Sequence, residues 1–296
     1  MSRIFLTGAT GFRGRALVNE LVSRKMGVVC LIRKKEQEKT FKKSKYLDFI
    51  LGELPEIRPI ERLFKSSDVV VHLANISDGK NYEEFYKINV EGTRNLVSAC
   101  EKANISKFIF ASSTVVFSEF KSPYIETKRL AEEIVKNSKL NYIILRPDMV
   151  YGKDSKRHII DLIEEIRNKK LKLIVYGDIK IRPVYVKDII NSIVKSIEEK
   201  KLRNRIYNLG SEVPVSYKTL FKIIKKETRS KCFLVSIPFF ITFILARLYN
   251  LINKKSTLYD WIKGNVKTNY SILDSKKELS FSPTPIGKGI KILLGN

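Results

Sequence analysis

The stretch that decides the fold lies at the start of the chain and reads Ile4-Phe5-Leu6-Thr7-Gly8-Ala9-Thr10-Gly11-Phe12-Arg13-Gly14. An apolar run is followed by three spaced glycines and then by a helical pattern. At this spacing Gly8 permits a tight turn, Gly11 lets the backbone approach a pyrophosphate, and Gly14 allows helix and strand to pack closely. The helix N-terminus adds free N–H groups and a positive dipole end. The stretch therefore predicts a strand, turn and helix that bind a dinucleotide.

The end of the second predicted strand indicates which dinucleotide is bound. An acid about 20 residues past the glycine turn would bind the adenosine ribose hydroxyls, but the sequence there has no acid and reads Leu31-Ile32-Arg33-Lys34-Lys35. A guanidinium at Arg33 suits a 2′-phosphate, which favours NADP over NAD. A solvated surface charge is the alternative for Arg33. The residues predicted to bind the cofactor are Gly8, Thr10, Gly11, Phe12, Arg13, Gly14, Arg33, Leu73, Ala74 and Lys128.

Strand and helix patterns alternate through the first half of the chain. The strand candidates are Arg3–Thr7, Val28–Ile32, Tyr46–Leu51, Val69–Leu73, Phe108–Ser112 and Tyr142–Leu145. The intervening helix candidates include Arg15–Lys25, Tyr82–Ala103 and Tyr124–Asn137. Fully apolar strands are typical of a parallel sheet that is covered on both faces. The alternation therefore predicts an α/β fold with a Rossmann-like, doubly wound parallel sheet.

The alternation loosens after about residue 150. Strands are predicted at Leu171–Tyr176 and Arg205–Leu209, and helices at Val186–Lys200, Ser216–Thr228 and Pro238–Asn253. We expect residues 1–150 to form the dinucleotide-binding domain that carries the catalytic residues. We expect residues 151–296 to form a smaller, mixed α/β substrate lobe that is interwoven with the last strands.

The charge balance is strongly basic, with 56 Lys and Arg against 31 Asp and Glu, a net charge of +25. Such a charge suits an anionic partner. The lysines are spread along the chain, however, which favours a compositional bias over a nucleic-acid surface. Three cysteines, Cys30, Cys100 and Cys232, have no short spacing and predict no metal site or disulfide. We expect a cytoplasmic protein without a signal peptide.

One segment, Phe233–Ile252, is strongly apolar. Arg247 interrupts it and Pro238 lies near its start, which argues against a membrane-spanning helix. Arg247, Asn250 and Lys254 share one helical face, so the pattern favours an amphipathic helix that is buried or lines a pocket. Peripheral contact with a membrane is the alternative.

A candidate catalytic group follows in Ser122-Pro123-Tyr124-Ile125-Glu126-Thr127-Lys128. Ser122 suits a helix N-cap and Pro123 the first helical position. Tyr124 and Lys128 then lie on one face, where the ammonium favours the phenolate and binds the nicotinamide ribose. Tyr124 would move a proton while hydride moves to or from the cofactor. Upstream, the apolar run that begins at Phe108 ends in hydroxyls, among them Ser113, at the strand end where open α/β sheets bind ligands.

These motifs together resemble the extended short-chain dehydrogenase/reductase family, in its NAD-dependent epimerase/dehydratase branch. The matching stretches are 7–14, 71–74, 89–96, 112–117, Tyr124 with Lys128, 145–152, 182–188 and 207–210. The resemblance implies that Ser113, Tyr124 and Lys128 are catalytic, with Ser113 and Tyr124 also binding the substrate. It implies that Arg182 contacts substrate phosphates, with a salt-bridged surface arginine as the alternative. His72 and Asn89 are expected to be structural or to lie near the cofactor.

The resemblance leads us to expect an epimerase or ketoreductase that acts on a nucleotide-linked sugar, with a homodimer left open. Three departures from the family pattern put the identity of the sugar in question. Phe117-Ser118 replaces the usual Tyr-Gly, Asp148 follows Arg146-Pro147, and the connection from Ser113 to Tyr124 is short. A first alternative is an NADPH-dependent reductase or dehydrogenase of a hydrophobic alcohol or ketone. A second is a non-catalytic relative that binds NADP or RNA, which retention of Tyr124 and Lys128 disfavours.

Overall fold

The computed structural model describes residues 3–56, 64–65, 68–155, 159–168, 170–174, 179–236, 240–241, 244 and 268–295. The strands are β1 (Ile4–Thr7), β2 (Val28–Ile32), β3 (Leu47–Leu51), β4 (Val69–His72), β5 (Lys107–Ala111), β6 (Tyr142–Pro147), β7 (Val150–Tyr151), β8 (Leu171–Ile174), β9 (Lys180–Ile181), β10 (Val184–Tyr185), β11 (Arg205–Leu209), β12 (Val215–Ser216) and β13 (Phe233–Ser236). The α-helices are α1 (Phe12–Ser23), α2 (Tyr82–Phe85), α3 (Gly92–Lys102), α4 (Pro123–Lys136), α5 (Ile159–Asn168), α6 (Val186–Glu198), α7 (Tyr217–Glu227), α8 (Leu273–Leu279) and α9 (Ile286–Leu294).

A seven-stranded sheet in the order β11-β6-β5-β4-β1-β2-β3 forms the centre of the fold. Every neighbouring pair in it is parallel. One apolar cluster on the sheet includes Leu17 of α1 and Ile190 of α6, and another includes Leu96 of α3 and Val135 of α4. Helices therefore cover both faces, and the predicted doubly wound parallel sheet is confirmed.

The predicted helix Tyr82–Ala103 is interrupted. Helix α2 passes into a π-helical segment, Tyr86–Glu91, before α3 begins. Within this segment the Asn89 side chain accepts from the Ile76 N–H at 2.9 Å and donates to Thr127 Oγ1 at 3.2 Å. A local widening of the helix is common where a side chain must be aimed at a site. The apolar pattern predicted the helix, while the widening depends on these tertiary contacts.

The second half of the chain contributes β11 to the edge of the main sheet, where Arg205 pairs in register with Ile143. The other strands make two-stranded sheets, β10 with β7 and β13 with β8 in parallel and β12 with β9 antiparallel. A third apolar cluster holds α5, α7 and α9 together through side chains such as Ile163, Leu220 and Ile290.

The apolar segment Phe233–Ile252 begins with β13, and the helix predicted at Pro238–Asn253 lies almost wholly outside the described residues. Its described members Phe240, Ile241 and Ile244 are exposed. Within the described ranges, no helix is both long enough and apolar enough to span a bilayer. The three cysteines are buried and free.

Candidate active site

The glycine turn between β1 and α1 leaves no room for side chains at two positions. Gly8 has a φ of +74°, and a Cβ there would lie 2.6 Å from the backbone nitrogen of Ala74. A Cβ on Gly14 would lie 2.1 Å from the carbonyl oxygen of Gly8. Helix α1 starts directly after Gly11, and no side chain caps its N-terminus. The turn thus presents bare backbone beside a helix N-terminus, which suits a pyrophosphate.

A cavity of about 460 Å³ opens at this turn, within the usual size range of cofactor and ligand pockets. Six of the predicted cofactor-binding residues line it: Thr10, Gly8, Gly11, Arg33, Leu73 and Ala74. The other four predicted residues, Phe12, Arg13, Gly14 and Lys128, do not line it. Phe12 packs against the core, Gly14 against the turn, and Lys128 Nζ donates to the Ala111 carbonyl oxygen. The residues around it that the motif did not identify include Gly52, Glu53, Pro55, Asn75 and Lys87.

Arg33 lies at the rim of this cavity with an exposed side chain. Its backbone N–H donates to Gln37 Oε1 at 2.9 Å, which fixes the turn that leads into the 3₁₀ helix Lys35–Thr40. None of the described carboxylates forms an ion pair with its guanidinium. The side chain is therefore available to an anionic group bound in the cavity.

Helix α4 places Tyr124 and Lys128 one turn apart. Ser122 accepts a hydrogen bond from the Ile125 N–H at 3.3 Å, and Pro123 occupies the first turn, as predicted. Lys128 is buried, with Nζ 2.8 Å from the Ala111 carbonyl oxygen and 4.5 Å from the centre of the Phe110 ring. The pKa of Lys128 is lowered to about 7, first by burial and then by the charge of Arg13.

Ser113 and Tyr124 are brought together by the end of β5 and the start of α4. The Ser113 side chain lies beside that of Tyr124 and acts to lower its pKa, and Ser113 Oγ lies 3.3 Å from the Pro147 carbonyl oxygen. The pKa of Tyr124 is raised by burial, while the charge of Arg13 and the Ser113 hydrogen bond act in the opposite direction. The expected lowering of this pKa by Lys128 stays a prediction, while in this structure burial outweighs the groups that lower the pKa of Tyr124.

A buried ion pair fixes α4 against the sheet. Glu132 accepts from Ser112 Oγ at 2.6 Å and from Arg146 Nε at 3.1 Å, with a second bond to Arg146 Nη2. Glu132 stands one turn after Lys128, so the ends of β5 and β6 are both tied to the catalytic helix. Sequence reasoning missed Glu132, although its spacing from Lys128 placed it on the same inward face.

Arg182 does not face an open cleft. Its buried guanidinium donates to the carbonyl oxygens of Ser211 and Glu212, each at 2.9 Å, and of Tyr270. It also lies 4.6 Å from the centre of the Tyr270 ring. The alternative of a salt-bridged surface arginine was wrong, since the partners are backbone carbonyls. Contact with substrate phosphates stays a prediction that requires the exchange of some of these bonds.

The Tyr270 side chain lies on the Ser113 side of the site, a position that the sequence analysis did not predict. Its hydroxyl donates to Asp148 Oδ2 at 2.5 Å, and its ring stacks on Phe117 with centres 5.9 Å apart. Asp148 and Tyr270 both lie beside the Thr114 side chain, next to Ser113. Burial raises the pKa of Asp148. No local pattern marks Tyr270, because it lies 122 residues from its partner.

His72 and Asn89 hold the site from behind. His72 is fully buried, with Nδ1 2.7 Å from Thr7 Oγ1 and Nε2 2.9 Å from Thr93 Oγ1. Burial and the charge of Lys128 lower its pKa to about 3. An imidazole that is neutral at neutral pH lies between two hydroxyls and links β1, β4 and α3.

Comparison with known proteins identifies the family. A family model described as "NAD dependent epimerase/dehydratase family" matches residues 4–210. Ceramide reductase of Caulobacter vibrioides is 30% identical over 149 residues, which is 50% of this chain and 46% of the relative. The match thus spans about half the length of that relative.

Two further similarities extend over more of the chain. A 4-hydroxy-2-methyl-3-oxo-4-farnesyl-3,4-dihydroquinoline-1-oxide ketoreductase of Stigmatella aurantiaca is 23% identical over 257 residues, 80% of this chain and 76% of the relative. The crystal structure of UDP-glucose 4-epimerase from Thermotoga maritima with UDP-glucose has a TM-score of 0.76 at 21% identity and covers 99% of this chain and 97% of the epimerase. This last likeness supports the fold.

Proposed function

Since this chain belongs to the NAD-dependent epimerase/dehydratase family, we propose that it is a reductase or dehydrogenase that interconverts a ketone and an alcohol on a hydrophobic substrate. The observation that carries this proposal is the meeting of Ser113, Tyr124 and Lys128 at the carboxyl ends of the parallel strands. The family is one of epimerases and dehydratases, and these three groups provide the proton chemistry that a hydride transfer needs.

The residues have separate tasks in this reaction. The nicotinamide supplies or accepts the hydride when it is bound. The Tyr124 hydroxyl gives its proton to the substrate oxygen during reduction and takes it back during oxidation. Ser113 Oγ donates a hydrogen bond to the same oxygen and stabilises the charge that develops there. Lys128 binds the nicotinamide ribose, and the backbone at Gly8, Gly11 and Ala74 binds the remaining parts of the cofactor.

The hydrophobic substrate is favoured by the state of Arg182. A nucleotide diphosphate needs a free guanidinium at the expected place, whereas three carbonyl oxygens already bind this one. The stacked aromatic rings of Phe117 and Tyr270 lie on the Ser113 side of the site. Two relatives are named for hydrophobic substrates, a ceramide and a farnesyl-bearing quinoline. We assign the substrate to this chemical class.

We propose NADP as the preferred cofactor. Arg33 lies exposed at the rim of the cavity, and no acid occupies the ribose-binding place at the end of β2. A 2′-phosphate would find a bidentate donor there.

A nucleotide-linked sugar is the second candidate substrate. It is favoured by the position of Arg182, whose guanidinium lies 4.6 Å from the centre of the Tyr270 ring, the ring that also stacks on Phe117. A diphosphate that displaced the Ser211 and Glu212 carbonyls would be held close to the reacting carbon. In that case the enzyme would epimerise the sugar or reduce its keto form.

Cofactor titration followed by turnover separates these candidates. The purified protein is titrated with NADPH and NADH by fluorescence, and then incubated with NADPH and either a long-chain 3-ketone or a UDP-4-keto sugar. We expect NADPH to bind about tenfold or more tightly than NADH, a difference of about 1.4 kcal/mol, and to be consumed with the long-chain ketone. Consumption with the sugar alone would reverse the substrate assignment, and binding of neither dinucleotide would refute the proposed function.

The matched controls are Tyr124→Phe and Tyr142→Phe. Both remove one hydroxyl, but Tyr142 lies at the start of β6 at the opposite end of the strand from the site. NADPH consumption should survive only in the Tyr142 variant.

A further inference from the structure

The small sheet of β8 and β13 exposes large apolar side chains on its outer face. Phe233 and Leu171 pair in register on these parallel strands, and their side chains are 66% and 51% exposed. Residues paired in register point to one face of a sheet, and their neighbours along each strand point to the other. Those neighbours pack inward, since Lys172 Nζ lies 5.9 Å from the centre of the Phe221 ring and Leu234 contacts the third apolar cluster. The outer face therefore carries two adjacent, exposed apolar residues.

Three further apolar side chains follow β13 along the chain. Phe240, Ile241 and Ile244 have helical backbone and are exposed. Their spacing of one and four residues places them on one side of a helical turn. Single exposed apolar residues are ordinary on a protein surface, whereas a group of them bounded by charged residues is typical of a site that binds another protein or a membrane.

A basic hollow of about 800 Å³ opens where the chain enters this small sheet. The last turns of α5, α7 and α9 line it with four cations and one carboxylate, namely Arg167, Lys226, Arg229, Lys291 and Glu227. Lys291 Nζ lies 3.7 Å from the Glu227 carboxylate, and within the described ranges the other three cations form no ion pair. Cations that are held together in this way favour an anionic partner.

Two hydrogen bonds show that the hollow adjoins the apolar pair. Ser230 Oγ donates to the Ile166 carbonyl oxygen at 2.5 Å, and each of these residues is next in sequence to an arginine of the hollow. The Phe233 N–H donates to the Lys170 carbonyl oxygen at 2.7 Å, where the two strands begin. Leu171, Phe233 and the four cations of the hollow thus form one continuous surface, which we call the docking surface.

We propose that the docking surface binds a lipid bilayer that carries anionic headgroups. The cations of the hollow bind the lipid phosphates, and Leu171 and Phe233 enter the boundary between headgroups and acyl chains. Membrane binding of this kind grows with the apolar area that is inserted and with the attraction of lysine and arginine to anionic lipids. The inference rests on the residues of the surface itself. The proposed hydrophobic substrate adds a reason for it, because such a molecule dissolves in the bilayer.

Vesicle flotation tests the docking with the full chain and without cofactor or substrate. The protein is mixed at physiological ionic strength with vesicles of phosphatidylcholine alone or of phosphatidylcholine with phosphatidylglycerol. The apolar pair is removed in the double variant Leu171→Ser with Phe233→Ser. The matched control is Leu51→Ser with Leu273→Ser, because these two leucines are as exposed but lie on β3 and α8.

A second pair of variants tests the charge of the hollow. Arg167→Gln with Lys226→Gln removes two of its cations, each in the last turn of a helix. Arg24→Gln with Lys195→Gln is the control, because it removes the same net charge from the ends of α1 and α6. Any effect of the overall charge of the protein should be equal in the two double variants.

We expect the wild-type protein to float with the anionic vesicles and much less with the neutral ones. The dissociation constant should rise about fivefold for each cation removed from the hollow and about tenfold or more without the apolar pair, while both controls stay close to the wild type. If a double variant does not fold, the single changes Phe233→Ser and Lys226→Gln replace it.

Three outcomes would overturn the inference. The first is equal binding to the two kinds of vesicle or binding to neither, and the second is an equal loss of binding in a control pair. The third is a dimer of the free protein that dissociates in Leu171→Ser with Phe233→Ser, measured by sedimentation velocity, which would assign the surface to a second copy of the chain. Because no turnover is measured, failure of the proposed function would not imitate any of these results.

Discussion

The Lys128 ammonium nitrogen lies 2.8 Å from the Ala111 carbonyl oxygen and thereby ties the catalytic helix to the end of β5. Two residues beyond Ala111 the chain presents Ser113, which lies beside Tyr124, one helical turn before Lys128. One strand end and one helix turn therefore bring all three proposed catalytic groups together. The buried pair of Glu132 and Arg146 fixes the same helix a further turn along.

The first prediction concerns the pH dependence of cofactor binding. With a pKa of about 7, Lys128 loses its proton as the pH rises through neutrality, whereas an anionic cofactor favours the ammonium. Binding must therefore take up a proton at higher pH, and affinity for NADPH should fall by up to about tenfold per pH unit above 7. Fluorescence titration should show a much flatter profile in Lys128→Met. Identical slopes in both proteins would exclude this coupling.

The second prediction concerns the glycine turn. Gly14→Ala places a Cβ 2.1 Å from the Gly8 carbonyl oxygen, where backbone rather than a flexible side chain would have to move. We expect a loss of about 1 to 3 kcal/mol in the free energy of unfolding together with weaker NADPH binding. Gly27→Ala is the control, because nothing lies within 4 Å of its Cβ position. Urea unfolding of both variants measures the difference, and equal stabilities would contradict the close packing.

The third prediction concerns acid stability. His72 has a pKa of about 3 in the fold against a usual 6.5, so below 6.5 the unfolded chain binds a proton that the folded chain does not. Its contribution to stability is complete above pH 6.5 and is lost as the pH falls toward 3, each unit being worth about 1.4 kcal/mol. The free energy of unfolding should fall less steeply over this window in His72→Asn. A variant that keeps the wild-type slope would show that other groups cause it.

The fourth prediction concerns Arg182. Lysine lacks the planar fork that reaches several carbonyls at once, so Arg182→Lys should lower the free energy of unfolding by about 1 to 3 kcal/mol. With a hydrophobic ketone, KM should change little. Arg205→Lys, an exposed arginine paired with Glu278, provides the control. A KM that rises strongly with a stable protein would favour the nucleotide-linked sugar instead.

Much of the fold was predictable because its signals are local. The strands Val28–Ile32 and Arg205–Leu209 occur at the predicted residues. Val28–Ile32 is a continuous apolar run, which marks a buried parallel strand. The glycine turn was equally predictable, because only glycine fits at positions 8 and 14, and this requirement produces the recognisable spacing of the glycines. The proposed triad was predictable because its positions also depend on local signals. The N-cap Ser122 fixes the start of the helix that carries Tyr124 and Lys128, and the end of β5 places Ser113.

The features of the site that the sequence did not predict depend on contacts between residues far apart in the chain. Tyr270 reaches Asp148 from a segment far along the chain, and Arg182 is held by carbonyls that no motif marks. The rise in the pKa of Tyr124 was not expected from the sequence, because the burial that causes it depends on the whole site. The cytosolic setting, a homodimer and peripheral membrane contact stay predictions.

The most direct test of the account follows the hydride itself. NADPH that carries deuterium at both positions of nicotinamide C4 is incubated with a long-chain ketone and either the wild-type protein or Tyr124→Phe, and the alcohol is analysed by mass spectrometry. We expect one deuterium on the carbinol carbon of the product, and we expect the variant to form this product about 100- to 10,000-fold more slowly. An undeuterated alcohol, or equal rates for the two proteins, would contradict hydride transfer with Tyr124 as the proton carrier.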